Sequence, residues 1–260
     1  MDNRVVLIVE YDGAKYHGSQ YQSNALTIQG EMERALNKLT REAIRIAASS
    51  RTDAGVHAEG QVVSFKSKTA FPQQTWIKAL NFYLPYDIAV KDAYVVYNRF
   101  DVRRDALSRE YRYSILNSCT PSPLAQRFAH IVHRPLDIEA MSYASQVLIG
   151  EHDFAPFSSM ASNRTQRCVY KAEVNKTDNL VTFDMVANSF LTHQVRNTVG
   201  GLIEVGLGKM EVQTFWDLAR SEKKGAIGPT APARGLRLMK VNYADFPPLI
   251  EEGKNENIFN

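Results

Sequence analysis

Cysteine is scarce in this sequence, and long apolar runs and an excess charge of either sign are missing. Only Cys119 and Cys168 occur in 260 residues. They lie far apart with no CxxC pairing, which argues against a disulfide scaffold and a cysteine-built zinc site and leaves two reduced structural thiols. The apolar run Val5 to Val9 meets Glu10 and Asp12 at once, so it is too short for a signal-peptide core and far too short to span a bilayer. The 31 Lys plus Arg stand against 28 Asp plus Glu, a net of +3. A polyanion site must therefore be a local concentration of cations. Low-complexity segments and obvious repeats are absent as well. These features describe a soluble, cytosolic chain.

What is present is a core. Hydrophobic residues make up 44% and aromatics 10% of the chain, enough for one large domain or two fused halves. RVVLIVEY (4–11) is a β-branched run closed by the Asp12-Gly13 turn and reads as a buried strand. Thr27 can cap a helix in which Ile28, Met32, Leu36 and Leu39 share a face. AIRIAAS (43–49) reads as a strand that runs into the polar segment SSRTDAG, so Asp53 is expected in a loop at a strand end, with strand structure resuming at 61–65. Further elements are a helix at 74–84, a strand at 88–96 and the clearest strand, 107–116, in which Tyr111, Tyr113 and Ile115 share one face while Arg112 and Ser114 share the other. A helix at 138–148, a hairpin pairing 168–174 with 181–186 across KTDN, and a helix from about Phe190 to Val205 follow. A helix at about 211–221 and a strand at 235–243 complete the set. Hairpins without regular βαβ alternation predict an α+β fold around a largely antiparallel sheet.

Three stretches carry chemistry. SSRTDAGVHA alone is a polar turn, where an Asp before Ala-Gly commonly serves backbone geometry, yet Arg51, Thr52, Asp53 and His57 place a cation, a hydroxyl, a carboxylate and an imidazole together at a strand end, where catalytic groups often lie. FDVRRDALSREYRYSIL (100–116) interleaves Arg103, Arg104, Arg109 and Arg112 with Tyr111 and Tyr113, the chemistry of RNA contact, or equally a strand with a basic face over a tyrosine-lined core. In NSFLTHQVRNTVGG (188–201), Phe190, Leu191, Val195 and Val199 make an apolar side, so Arg196 borders the core and requires an anion, either a structural carboxylate such as Glu204 or Asp217, or Asp53. A metal site from Asp53 and His57 with His152 and Asp153 fails on spacing, and His17, His130, His133 and His193 are scattered. GGLIEVGLGKM (200–210) does not match a phosphate loop, since Leu207 stands where the lysine belongs. Its glycines fit close helix packing instead.

Together these stretches resemble the tRNA pseudouridine synthase family that modifies positions 38, 39 and 40 of the anticodon stem-loop. RTDAGVHA (51–58) matches the signature around the family's catalytic aspartate. YDGAKYHGSQYQ, TIQGEMERAL, FDVRRDALSREYRY, GEHDFAPF, FLTHQVRNTVGGLIEVG and APARGLRLMKV extend the match over nearly the whole chain. Ser50 departs from a usual glycine and Ser19 from a common tryptophan, which bears on loop geometry and substrate fit but removes no reacting group.

The resemblance implies the pseudouridine synthase fold: two ferredoxin-like halves, 1–105 and 106–245, whose sheets join into one beside a catalytic cleft, followed by a tail at 246–260. It implies a cytoplasmic homodimer that clasps tRNA, with no cofactor, no metal and no membrane. The reaction breaks the N1–C1′ bond of uridine, rotates the base and joins C5 to C1′, so it needs only positioned side chains. Asp53 would attack sugar or base, or take a sugar proton. Tyr111 would stack on the uracil and take part in removing the C5 proton, and Arg196 would keep Asp53 ionised and oriented. Arg51 would support the flipped-out nucleotide, with Thr52, His57, Arg103, Arg109 and Val195 as further substrate contacts. An idle tRNA-binding or folding protein on the same fold and a synthase acting on another RNA are the alternatives.

Overall fold

The computed structural model describes residues 3–159, 164–221, 223–244 and 246. Apart from Phe246, the expected tail 246–260 lies outside the described residues. Among those residues the chain forms ten strands and five α-helices. Eight strands follow one path across a single mixed sheet: β4 (Ile88–Val96), β1 (Asn3–Tyr11), β3 (His57–Ser67), β10 (Leu236–Tyr243), β5 (Ala106–Asn117), β9 (Leu180–Ala187), β8 (Gln166–Thr177) and β7 (Gly150–Asp153). The two-residue β2 (Ala47–Ala48) pairs with β3, and β6 (His130–Val132) pairs with β5. The pairings are antiparallel except β10 with β3 and β5 with β6. This is the expected α+β architecture of the pseudouridine synthase fold.

Local sequence accounts for most elements. β1 is buried at Val5, Val6, Leu7 and Val9, which fits a β-branched run flanked on both sides by other strands. Helix α1 (Ile28–Thr40) begins where the Thr27 hydroxyl accepts from Gly30 N–H at 3.2 Å. It buries Ile28, Met32, Ala35 and Leu36, while Leu39 is only half-buried. Helix α2 (Gln73–Tyr83) inserts Trp76 and Leu80 fully into the core, each contributing about 1.5–3 kcal/mol by the ordinary area relation. The hairpin of β8 and β9 turns at Asp178, whose φ of 53° is left-handed, a conformation Asp tolerates better than most residues.

Four boundaries differ from expectation, the first being that the strand expected at 61–65 already begins at His57 as β3. The segment 43–49 supplies only the two residues of β2, because Ile44 and Ile46 pack into the core from extended chain while Ile46 N–H bonds to the Glu33 carboxylate at 3.1 Å instead of to a strand. The helix expected over 138–148 ends as α3 (Ile138–Ser145) and tightens into a 3₁₀ turn, 146–148. The helix expected from Phe190 begins only as α4 (Gln194–Gly206), since His193 takes φ 62° and breaks the helical path. Phe190 and Leu191 thus lie in the approach to α4. Helix α5 (Val212–Ala219) lies within its expected range. α4 sits deep in the molecule: a Cβ on Gly200 would stand 1.6 Å from the carbonyl oxygen of Pro229. Only glycine lets the 229–231 segment approach that closely.

The junction of β3 and β10 positions everything that follows. Ala58 pairs with Leu238, and Leu238 pairs with Tyr111. The loop preceding β3 is thereby placed two strand spacings, roughly 10 Å, from Tyr111. On the far side of β5, Arg109 pairs with Ala187, so the chain leaving β9 toward α4 rises beside the same loop.

Candidate active site

Three segments converge on one cleft: the loop 49–56, the start of β5, and 189–195 ahead of and within α4. They enclose about 420 Å³, within the usual range for small-molecule sites of roughly 300–1,000 Å³. Asp53, Arg51, Thr52, Arg103, Arg109, Tyr111 and Val195 line it, together with His193.

The loop carrying Asp53 is held by a polar network under it. Thr52 is tied on three sides: its N–H donates to the Ser19 hydroxyl at 2.8 Å, its carbonyl accepts from Ser19 N–H at 3.0 Å, and its hydroxyl lies 2.8 Å from that of Tyr11. Gln61, buried on β3, takes the Ser49 hydroxyl at 2.8 Å and Ser50 N–H at 3.3 Å on its amide oxygen and gives its amide nitrogen to the Ser50 carbonyl at 2.8 Å. Gly55 turns the chain at φ 78° and its N–H reaches Tyr16 carbonyl at 3.2 Å. A loop with this many internal partners holds its side chains in fixed directions. Burial pushes the Tyr11 phenol up to about 12, the Thr52 and Gln61 bonds opposing, so it stays neutral at physiological pH.

Asp53 is about a third exposed, and its Oδ2 meets Arg196 Nη1 at 3.1 Å. Of the three carboxylates weighed for Arg196, it is Asp53 that pairs with it. The Arg196 Nε donates to Ala231 carbonyl at 2.8 Å, and Arg196 carbonyl accepts from Ala231 N–H at 3.1 Å. The guanidinium is thus held through Nε at one end of its fork while Nη1 at the other meets the carboxylate, and the backbone bond anchors the residue itself. Gly200 makes this possible by admitting the 229–231 segment against α4.

Tyr111 is buried, with Phe190 edge-on at 4.9 Å between ring centroids. Its phenol is pushed well above the ordinary value by burial, with Tyr11 and Asp53 adding to the shift and a hydrogen bond with the Ser50 side chain and the charge of Arg109 opposing it. Arg51 and Arg103 are exposed at the cleft, while Val195 is buried in its wall.

Two residues expected as substrate contacts also hold the structure together, Arg109 at the cleft wall and His57 outside it. Arg109 is buried and donates to four carbonyls, those of Arg103 at 2.9 Å, Ala106 at 3.2 Å, Asn188 at 2.7 Å and Ser49 at 3.5 Å. It ties the three segments of the cleft together. His57 does not line the cleft: it is buried, its Nδ1 accepts from Gly13 N–H at 3.1 Å and lies 3.0 Å from the Asp12 carboxylate, and its ring meets Phe128 at 5.0 Å. Of the other arginines, Arg112 forms a forked pair with Asp184 at 2.7 and 3.0 Å.

His193, one of the scattered histidines in sequence, has its Nε2 3.5 Å from Asp53 Oδ2. Its place three residues before Arg196 was the available signal, because residues that close on a helix entry share a side. Tyr11 and Gln61 stand outside the expected site yet support its loop, and Ser19, expected to bear on loop geometry, holds Thr52. Gln61 carries the better signal, a polar residue next to the apolar pair Val62 and Val63 in a buried stretch of strand. Among the described residues no cluster of His, Cys, Asp and Glu could hold a metal ion, and no helix is long and apolar enough to cross a membrane.

Comparison with known proteins gives a consistent result. The family model described as tRNA pseudouridine synthase matches residues 7–104 and 144–244. A tRNA pseudouridine synthase A of Thermoanaerobacter sp. is 40% identical over 241 residues, covering 92% of this chain and 99% of its own length. The protein of that name from Roseiflexus castenholzii is 44% identical over 247 residues, covering 93% and 91%. That from Shewanella amazonensis is 39% identical over 245 residues, covering 93% and 94%.

Proposed function

We propose, since the chain belongs to the tRNA pseudouridine synthase family and is thus an isomerase, that it converts uridine to pseudouridine at positions 38, 39 and 40 of the tRNA anticodon stem-loop with Asp53 as the nucleophile. The observation that carries this reading is the state of Asp53: a carboxylate at the cleft wall, pinned through Oδ2 by Arg196, with no donor on Oδ1 among the described residues.

In this reading the target uridine leaves its stem, at a cost on the order of a few kcal/mol, and enters the cleft, with exposed Arg51 and Arg103 meeting backbone phosphates at the mouth. Tyr111 stacks on the uracil, and Val195 and Phe190 close the apolar side. Asp53 Oδ1 acts at the sugar or base while the N1–C1′ bond breaks. The base turns in the cleft, C5 joins C1′, the C5 proton leaves and N1 gains one, so the sum is an isomerisation. Because burial keeps the Tyr111 hydroxyl neutral, it serves by contact and hydrogen bonding with Ser50, and takes a proton only as it passes its own on. The halves 1–105 and 106–245 meet at the β3–β10 junction, and the enzyme works as a cytoplasmic homodimer that clasps tRNA.

The test is tritium release from C5-tritiated uridine in a tRNA transcript with uridines at 38 to 40, comparing the wild type with Asp53→Asn. The expected outcome is release by the wild type and none by the variant. A folded wild type that binds this tRNA without releasing tritium would sink the assignment of substrate, and an active Asp53→Asn that of the nucleophile.

A further inference from the structure

A second nitrogen besides that of Arg196 reaches Asp53. His193 Nε2 lies 3.5 Å from Oδ2, the same oxygen that Arg196 Nη1 meets at 3.1 Å. His193 occupies the N-cap position of α4 in the left-handed region, φ 62° and ψ 5°, and its side chain makes no capping bond. That placement does little for the helix. A cap position favours Ser, Thr, Asn or Asp, whose side chains satisfy the first N–H groups, and the left-handed region is unfavourable for an imidazole-bearing residue compared with glycine. Both costs bring the ring into the cleft, where it is about a third exposed. Departures of this kind concentrate at functional sites.

We propose that His193 is a positioning residue for Asp53: together with Arg196 it fixes Oδ2, so that Oδ1 is the oxygen presented to the nucleotide. The inference rests on Asp53 being the reacting group. A carboxylate held by one contact turns easily about its last torsion, which is broad and roughly two-fold, and so exchanges its two oxygens. Donors on one oxygen, both carried by the entry of α4, oppose that exchange. Correct orientation of a reacting atom is a large part of what an active site supplies. Its loss appears in turnover, while tRNA affinity, set by contacts spread over the whole interface, is unchanged. The 3.5 Å separation is long for a hydrogen bond, as catalytic bonds often are before substrate tightens the site. Either protonation state of His193 can serve, because a neutral imidazole with hydrogen on Nε2 also donates.

Two variants separate donor from backbone. Asn accepts the left-handed conformation, but its amide stands where Nδ1 stands and falls short of Asp53, whereas the Gln amide extends as far as Nε2. Single-turnover tritium release and tRNA Kd would be measured for His193→Asn and His193→Gln, with Asp53→Asn in parallel. The expected result is a kcat loss of about tenfold to a hundredfold in H193N, the size of one hydrogen bond to a charged group, with Kd unchanged and most of the loss restored in H193Q. A wild-type kcat in H193N, a loss confined to Kd, or a Gln variant no better than Asn overturns the proposal. A dead D53N beside a normal H193N overturns the role of His193 alone, while an active D53N overturns the reading of Asp53 itself.

Discussion

Replacing Arg196 by Met separates catalysis from stability at this site. The substitution keeps most of the apolar stem and removes two contacts, the 3.1 Å bond to Asp53 Oδ2 and the 2.8 Å bond to the Ala231 carbonyl. The Asp53 side chain is 30% exposed, so water can replace much of what it loses. The stability cost is therefore nearer to that of an exposed pair, about 1 kcal/mol, than to the 3–5 kcal/mol of a fully buried one. For a chain of this size that lowers Tm by roughly 2–4 °C. Turnover should suffer more. A hydrogen bond to a charged group contributes about 1.5–3 kcal/mol, and if it is made in full only when Asp53 is correctly aimed, kcat falls by roughly tenfold to 150-fold. Single-turnover tritium release on the tRNA transcript, with thermal melts of the same preparations, reads both quantities. Arg196→Lys should recover little, because one ammonium cannot hold the Ala231 carbonyl and Asp53 with the same fork. An Arg196→Met enzyme with unchanged turnover refutes the pairing as a catalytic device. A large fall in Tm with unchanged turnover per folded molecule makes the pair structural.

Alkaline pH tests the buried phenols. Tyr11, Tyr111, Tyr113 and Tyr243 are all raised, with burial the largest cause in each. Above pH 10 the unfolded chain loses these protons while the folded chain keeps them, so stability is intact below 10 and declines above it. The slope is about 1.4 kcal/mol per pH unit for each tyrosine, up to the Tyr11 value of about 12 and beyond for the others. Urea unfolding at pH 9 and pH 11 reads this, and equal midpoints would contradict it. Arg109→Met leaves four carbonyls without their donor and should cost on the order of 3–5 kcal/mol of stability, seen as a lower urea midpoint. A loss of tRNA affinity with an unchanged midpoint would instead make Arg109 a substrate contact and not a structural tie.

Much of this molecule is written locally. The Thr27 cap, the β-branched run of β1, the Tyr/Arg alternation of β5 and the hairpin of β8 and β9 follow from side-chain period and backbone preference, which neighbours in sequence suffice to set. The cluster Arg51 to His57 at a strand end and the core-bordering position of Arg196 were legible for the same reason. Which partners these groups would find was not. Arg196 had three carboxylates within reach on paper, and the ion pair with Asp53 arises only because β10 enters between β3 and β5 and brings residues 143 positions apart together. Sequence spacing could not separate Arg109, buried among four carbonyls, from Arg103, exposed at the cleft, because burial belongs to the packing of distant segments. His57 and His193 make the same point in opposite directions. The histidine four residues from Asp53 turns into the core toward Asp12, while the one 140 positions away faces the carboxylate, because side-chain direction at the start of β3 and at the helix entry is decided by tertiary hydrogen bonds and by one left-handed residue.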